Sequence, residues 1–248
     1  MTVSKILNVA IIQLDDDRVP VSDNLNYAEM GEILLNSIDN DNNNNNFKID
    51  IYNYVNNGKL PTIPYDIVYF TGSKYDAFED NKFNNGLIDY IKSIIKTDCK
   101  LLGICYGHQI IARSLGYEII RSESWEIGNV KVEMETPVLG IDSFIISQIH
   151  RDRVKDNDNN DDIFFGKSDK CNIQGIYIKD KILTFQGHPE FTKDTTTYWA
   201  NQELKKGGIN SEFFNDILKR NKEMREDGMD VNGELKLQKM IKKFLKNV

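Results

Sequence analysis

Along the first half of the chain, apolar and polar positions switch repeatedly between two periods. ILNVAII, residues 6–12, is a short apolar run of the kind carried by a strand buried on both faces. NLNYAEMGEILLNSI after it places Leu25, Ala28, Ile33 and Leu34 at roughly helical spacing. FKIDIYNYV alternates like a second strand, PYDIVYFTGS reads as a third ending in a glycine turn, and GLIDYIKSIIKT predicts a helix with its apolar face at 87, 88, 91, 94 and 95. KLLGI then reads as a buried strand that stops at Cys105, and HQIIARSLG as a helix closed by Gly116 in the C-cap position. Strands and helices in alternation specify an α/β class with a mostly parallel sheet.

From about 117 to 186 the runs become shorter. YEII, GNVKVEM, SFIIS, QGIYIK and KILTF are β-like and imply a second β-rich layer or ribbon. Near the end, Leu237, Met240, Ile241, Phe244, Leu245 and Val248 share one helical face, with Lys236, Lys239, Lys242, Lys243 and Lys246 mainly on the others. That is the pattern of a docked helix; a helix lying on a membrane surface is the alternative. Residues 40–46 and 156–162 are Asn and Asp alone, too poor in apolar surface to offset the entropy of ordering, and read as disordered loop insertions. The organisation expected is a single domain over 1–248, its core at about 6–200, with a C-terminal helical extension over 206–248.

Composition narrows the functional classes. A chain of 248 residues with 40% apolar and 28% charged positions has the make-up of a soluble globular protein with a full core. No uncharged apolar run approaches the roughly 20 residues of a membrane span, so no membrane association is expected. Aspartates follow ILNVAII at once and no small-residue cleavage site appears, so the opening segment reads as a strand and not as a signal peptide. The net charge of -7 gives no support for binding a phosphate backbone, and nucleic acid is not an expected partner. Cys99, Cys105 and Cys171 are an odd number without a CxxC pair, which argues against a disulfide framework or thiolate zinc site and points to a reducing cytoplasm.

Cys105 stands apart from the other two. LLGICYGHQ sets it between Gly103 and Gly107, where an apolar strand gives way to a helix. A nucleophile on such an elbow needs small neighbours so that the turn can close and a substrate carbonyl approach. The helix that follows aims free N–H groups and the positive end of its dipole at the sulfur, favouring thiolate, and the Tyr106 N–H can face a developing oxyanion. The bland alternative is a small buried hydrophobe at a strand end, the reading we give Cys99 and Cys171. A phosphate loop is excluded because no Gly-Lys-Ser/Thr follows, and Cys105 with His108 is too little for a zinc site.

A thiolate enzyme needs a base, and the chain holds His108, His150 and His188 alone. His188 lies in ILTFQGHPEF, directly after an apolar strand, where loops carry catalytic groups. Pro189 biases His188 toward extended backbone, so Glu190 projects to the same side and can orient its imidazole.

With these residues named, the chain resembles the class I (triad) glutamine amidotransferase family, whose signatures are a G-x-C-x-G-x-Q elbow and a late H-P-E. Both occur here, as GICYGHQ and GHPE, with cysteine and histidine 83 residues apart. The resemblance implies a flavodoxin-like open sheet, mostly parallel, with helices on both faces and a smaller β-rich layer. It implies a Cys105–His188–Glu190 triad, contact of Gln109 with a bound glutamyl group, and a second oxyanion donor from the turn at Gly72 and Ser73. It requires no metal or organic cofactor. QIHRDRV and SWEIG look like further family marks, with His150 as a pocket or scaffold residue, and with Trp125 and Glu126 either lining the glutamyl site or packing the fold.

The turn at 72 departs from the pattern. Ammonia-delivering members usually read Gly-Gly-Pro there, whereas TGSKYDAF looks like the stand-alone branch that includes γ-glutamyl peptidases. The leading expectation is therefore hydrolysis of a γ-glutamyl amide or peptide bond, the substrate being glutamine, glutathione or a γ-glutamyl peptide, with a place in glutathione metabolism. The alternatives are a glutaminase subunit that delivers ammonia to a separate synthetase, which no segment of this chain encodes, and a non-catalytic binding or regulatory module.

Overall fold

The computed structural model describes residues 6–38, 47–156, 163–223 and 235–246. In chain order it contains β1 (Leu7–Gln13), the short pair β2 (Arg18–Val19) and β3 (Leu25–Asn26), α1 (Tyr27–Ile38), β4 (Phe47–Asn53), the single turn α2 (Tyr54–Asn57), β5 (Ile67–Phe70) and α3 (Lys82–Ile94). There follow β6 (Lys100–Ile104), α4 (Tyr106–Ser114), β7 (Ile119–Val138), β8 (Ile141–Val154), β9 (Phe164–Phe165), β10 (Gly175–Ile178) and β11 (Ile182–Phe185), then α5 (Lys193–Lys205), α6 (Ser211–Glu223) and α7 (Lys236–Lys246).

Seven of these strands form the main sheet in the order β4-β1-β5-β6-β11-β10-β9. The first five are mutually parallel and β10 and β9 close the far edge antiparallel. With the β2–β3 pair set aside, the parallel order is that of a flavodoxin-type sheet, as the family resemblance implies. β5, β6 and β11 are buried at every position, which is why their sequences read as unbroken apolar runs. Alternate residues of each strand feed opposite layers. Val9, Ile11, Tyr69 and Leu102 pack against α1, α7 and the β7–β8 ribbon, while Ala10, Ile12, Phe70 and Leu101 pack against α3 and α4.

Several boundaries differ from expectation. FKIDIYNYV does not run as one strand, because the Asn53 side chain accepts from Asn56 N–H and starts α2. The helix expected over 86–97 begins earlier, at Lys82, capped by Asn81 through a 2.8 Å bond from Asn84 N–H. QGIYIK and KILTF complete the main sheet and are not part of the β-rich layer. That layer is the β7–β8 ribbon, one long antiparallel pair whose register shifts between Arg121 and Glu126 and between Glu133 and Val138.

The apolar face of α7 is buried through Leu237, Met240, Ile241, Phe244 and Leu245, and Lys100 Nζ donates to the Phe244 carbonyl at 2.6 Å, so the helix docks on the body. Val248 and the tracts at 40–46 and 157–162 lie outside the described residues. Among the described residues no helix is long and apolar enough to cross a membrane.

Among the described glycines the closest backbone approach is at Gly107, where an added Cβ would lie 2.3 Å from the Phe70 carbonyl oxygen. In an open helix Gly→Ala gains about 1 kcal/mol, but overpacking costs about 1–3 kcal/mol, and contact with backbone puts this site at the upper end. Gly107→Ala is therefore expected to destabilise the protein by about 2 kcal/mol, read as a lower urea midpoint at unchanged m-value.

Candidate active site

β6 stops at Ile104, and Cys105 takes φ 50° and ψ −103°, a conformation that costs a non-glycine residue on the order of 1–3 kcal/mol. Bonds on both sides hold it there. Its N–H donates to the Phe185 carbonyl of β11 at 2.8 Å, and its carbonyl accepts from Gln109 N–H at 3.0 Å, the first bond of α4. The flanking glycines serve helix packing: a Cβ at Gly103 would lie 2.7 Å from Ile111 and 2.8 Å from the Gly107 carbonyl oxygen. Tyr106 buries its ring and hydrogen-bonds Asn84 through its hydroxyl, leaving its N–H in the first helical turn, where no intrahelical acceptor exists.

β11 brings the second half of the site to the first. After Phe185 the chain turns back onto the ribbon, where His188 N–H donates to the Ser147 carbonyl at 2.8 Å. His188 Nδ1 lies 2.8 Å from Glu190 Oε1, so that nitrogen carries the proton and Nε2 is left for the Cys105 sulfur. The imidazole is 3% exposed and stacks on Phe191 with centroids 4.0 Å apart. Burial alone would push it toward the neutral form. The charges of Glu190 and Cys105, and hydrogen bonds to both, more than offset this and raise it to about 10. Glu190 Oε2 is buried and has no hydrogen-bond partner among the described residues.

These groups meet at a cavity of about 380 Å³, lined among others by Ser73, Cys105, Gln109, Trp125, His150 and His188. Gly72 touches the site from the side, since a Cβ there would lie 2.8 Å from His188 Cε1. The turn it begins is tied to the segment after β1: Ser73 Oγ donates to the Leu14 carbonyl, and Lys74 N–H donates to Asp15. Gln109 Nε2 donates to the Asp152 carbonyl at 2.8 Å, which joins α4 to the ribbon.

His150 faces the cavity, and Glu126 stands behind it at 2.9 Å. Burial alone would raise the Glu126 carboxyl; hydrogen bonds from His150, Ser168 and Gln174 outweigh it and hold Glu126 below the usual carboxylate range. Trp125 both lines the cavity and packs on a small apolar cluster with Ile127 and Ala200. His108 is elsewhere, buried against the Thr184 hydroxyl at 2.8 Å and pushed down to about 3 by burial and the nearby His150. Cys99 and Cys171 are also buried away from the cavity, and burial pushes their thiols up to about 11 and about 12. A larger cavity of about 650 Å³ lies on the far side of Glu126 and contains neither Cys105 nor His188. Chemistry, and not size, identifies the candidate site.

Sequence reasoning does not single out Tyr27 and Phe191 around the imidazole, Gln186 beside the Cys105 sulfur at 3.8 Å, or Arg151. Phe191 follows GHPE directly and Arg151 lies inside QIHRDRV, so adjacency to those motifs is the available signal.

A mostly parallel α/β sheet whose strand ends bring a strained cysteine elbow to a buried His–Glu pair is the arrangement cysteine-dependent acyl-transfer enzymes use. The chain belongs to the class I glutamine amidotransferase family: the model described as "Glutamine amidotransferase class-I" matches residues 44–206, about two thirds of it. It is 33% identical over 138 residues to gamma-glutamyl peptidase 2 of Arabidopsis thaliana, covering 52% of this chain and 55% of that one. It is also 33% identical over 132 residues to a glutamine-hydrolysing GMP synthase component of Sulfurisphaera tokodaii, covering 51% of this chain and 68% of that one. Matched stretches span 53% to 66% of the length of relatives from Saccharomyces cerevisiae, Arabidopsis thaliana and Schizosaccharomyces pombe. In fold it is similar to a glutamine amidotransferase from Thermotoga maritima, with a TM-score of 0.69, 22% identity and coverage of 98% and 97% of the two chains.

With only three histidines in the chain, the electrostatics of the site can be read directly by NMR. One imidazole is expected to titrate near 10, and Glu190→Gln is expected to move it down, while a second stays neutral until about pH 3. The folded value of His188 lies above its unfolded value of about 6.5. The stability it contributes is thus complete below that pH and is lost as pH rises through about 10. Stability that rises between pH 7 and 10 in wild type, or no imidazole moving in Glu190→Gln, would count against this pairing.

Proposed function

We propose that the chain hydrolyses a γ-glutamyl amide or peptide bond through a γ-glutamyl thioester on Cys105. The observation that carries this reading is the convergence of the Cys105 elbow and the His188–Glu190 pair on one cavity. The Cys105 sulfur, its proton held by His188, attacks the γ-carbonyl carbon to form a C–S bond. Backbone N–H groups of Tyr106 and of the turn at Gly72 and Ser73 stabilise the resulting oxyanion. His188 then passes its proton to the leaving nitrogen as the C–N bond breaks, and the amine departs. Water adds to the thioester with His188 as base, the C–S bond breaks, and glutamate leaves. Glu190 keeps the imidazole in one tautomer and offsets the imidazolium charge throughout. No step requires a metal or organic cofactor.

Stand-alone hydrolysis is favoured over ammonia delivery by TGSKYDAF in place of Gly-Gly-Pro, and by similarity to several gamma-glutamyl peptidases of Arabidopsis thaliana. The similarity to a GMP synthase component keeps the second reading, in which a partner synthetase receives the ammonia.

A panel of glutamine, glutathione, γ-glutamyl dipeptides and glutathione conjugates, assayed for glutamate release, separates the two. Peptides and conjugates are expected to turn over, and Cys105→Ala is expected to lose at least about a thousandfold in kcat, because nucleophile and base act as a unit. Turnover of glutamine alone, stimulated by a co-purifying synthetase, would transfer the assignment to ammonia delivery; undiminished hydrolysis by Cys105→Ala would remove the cysteine mechanism altogether.

A further inference from the structure

Four lysine and arginine side chains line the cavity beside Cys105: Lys74, Arg121, Arg151 and Lys206. Three already have carboxylate partners. Lys74 Nζ lies 2.7 Å from Asp17 and 3.3 Å from Asp16. Arg121 forks onto Asp152 at 2.8 and 3.0 Å and also pairs with Asp76, and Lys206 lies 2.7 Å from Glu203. Arg151 has no carboxylate partner among the described residues. Its Nη2 reaches only the Ser122 and Glu123 carbonyls, at 3.3 and 3.5 Å, and its Nε is buried without an acceptor.

The setting of Arg151 is built, and not the accident of a loose surface chain. The guanidinium lies 5.8 Å from the centre of the Trp125 ring, and the carbonyls it touches belong to the irregular stretch of β7 where the ribbon register shifts between Arg121 and Glu126. Such irregularities commonly re-aim side chains beside functional sites. A guanidinium held partly out of water with unused donors leaves a desolvation cost unrecovered, which a planar, two-oxygen anion in the cavity would offset by bidentate bonding.

We propose that Arg151, with Trp125 as its platform, binds a carboxylate on the leaving-group side of the scissile bond. The preferred substrates are then γ-glutamyl amides whose departing amine is an amino acid or peptide, in preference to those that release ammonia or an uncharged amine. This deepens the hydrolase reading above and rests on it. The volume of about 380 Å³ falls within the range of sites that enclose whole small-molecule ligands, which leaves room beyond a glutamyl group.

The test compares γ-glutamylglycine with γ-glutamylglycinamide, which differ only in the terminal carboxylate. For wild type the ratio of kcat/KM values is expected to favour the acid by at least about tenfold, the scale of a charged hydrogen bond in a partly buried site. Arg151→Gln is expected to bring the ratio close to one, and Arg151→Lys to recover part of it. A ratio unchanged in Arg151→Gln, or a wild-type ratio of one or less, overturns the proposal. So does an equal loss on both substrates, which would put the guanidinium at the glutamyl end or in the scaffold. The same pair is also titrated against Cys105→Ala protein with and without Arg151→Gln, read by tryptophan fluorescence. If wild type hydrolyses neither compound, the hydrolase reading fails, while the affinity ratio still decides what Arg151 binds.

Discussion

The parallel pairing of β6 with β11 is the constraint on which the rest of this molecule depends. It places Phe185 opposite Ile104 and lets the Phe185 carbonyl receive the Cys105 N–H, so the strained cysteine is held by the strand that delivers His188 three residues later. A slip of one residue in that register would turn every β11 side chain to the other face and separate sulfur from imidazole. The unfavourable backbone at Cys105 persists because it is fixed from both directions, by the sheet behind it and by the first turn of α4 ahead of it. α4 in turn can lie this close to the sheet because Gly103 and Gly107 have no side chain to keep it away.

The three histidines show how far surroundings, and not residue type, decide behaviour here. All three are buried. His188 faces a carboxylate and a sulfur, and is raised; His108 faces a threonine hydroxyl, and is driven down by burial and by a neighbouring imidazole. His150 sits against Glu126, which is itself held charged by Ser168 and Gln174 from the segment before β10. One carboxylate-backed imidazole therefore sits against the sulfur, and a second lies in the wall of the same cavity. Only the first follows a strand of the parallel sheet, whose C-terminal edge is where an open α/β fold gathers reacting groups.

What can be read from the sequence divides along the same line. Parallel strands buried on both faces are apolar runs of recognisable length, so β1, β5, β6 and β11 are visible, and the Gly-x-Cys-x-Gly elbow and His-Pro-Glu follow two of them directly. β10 and β11 nevertheless group by pattern with the wrong layer, because a short apolar run does not say which sheet it joins. The long ribbon is broken into pieces by its two register shifts, where alternation fails. α5 carries the weakly periodic KDTTTYWANQELK, with Thr195, Thr196 and Glu203 among its buried residues, so a search for an apolar stripe passes over it. Arg151 is invisible for a different reason: an arginine among polar neighbours becomes informative only when the ion pairs of its neighbours are known.

The division has a functional consequence. Groups borne by the parallel sheet are tied to the register that holds Cys105, so the Cys105–His188 end of the cavity has little freedom to vary. The ribbon holds His188 at the Ser147 carbonyl, but its irregular stretch between Arg121 and Glu126 lies away from that bond and presents Trp125 and the carbonyls of Ser122 and Glu123 toward the cavity wall. Changes there can alter which partner is accepted while leaving the elbow and the His–Glu pair in place. In the proposed reaction, selectivity for the departing group is then free to change on the ribbon without altering the acyl chemistry at the sheet edge.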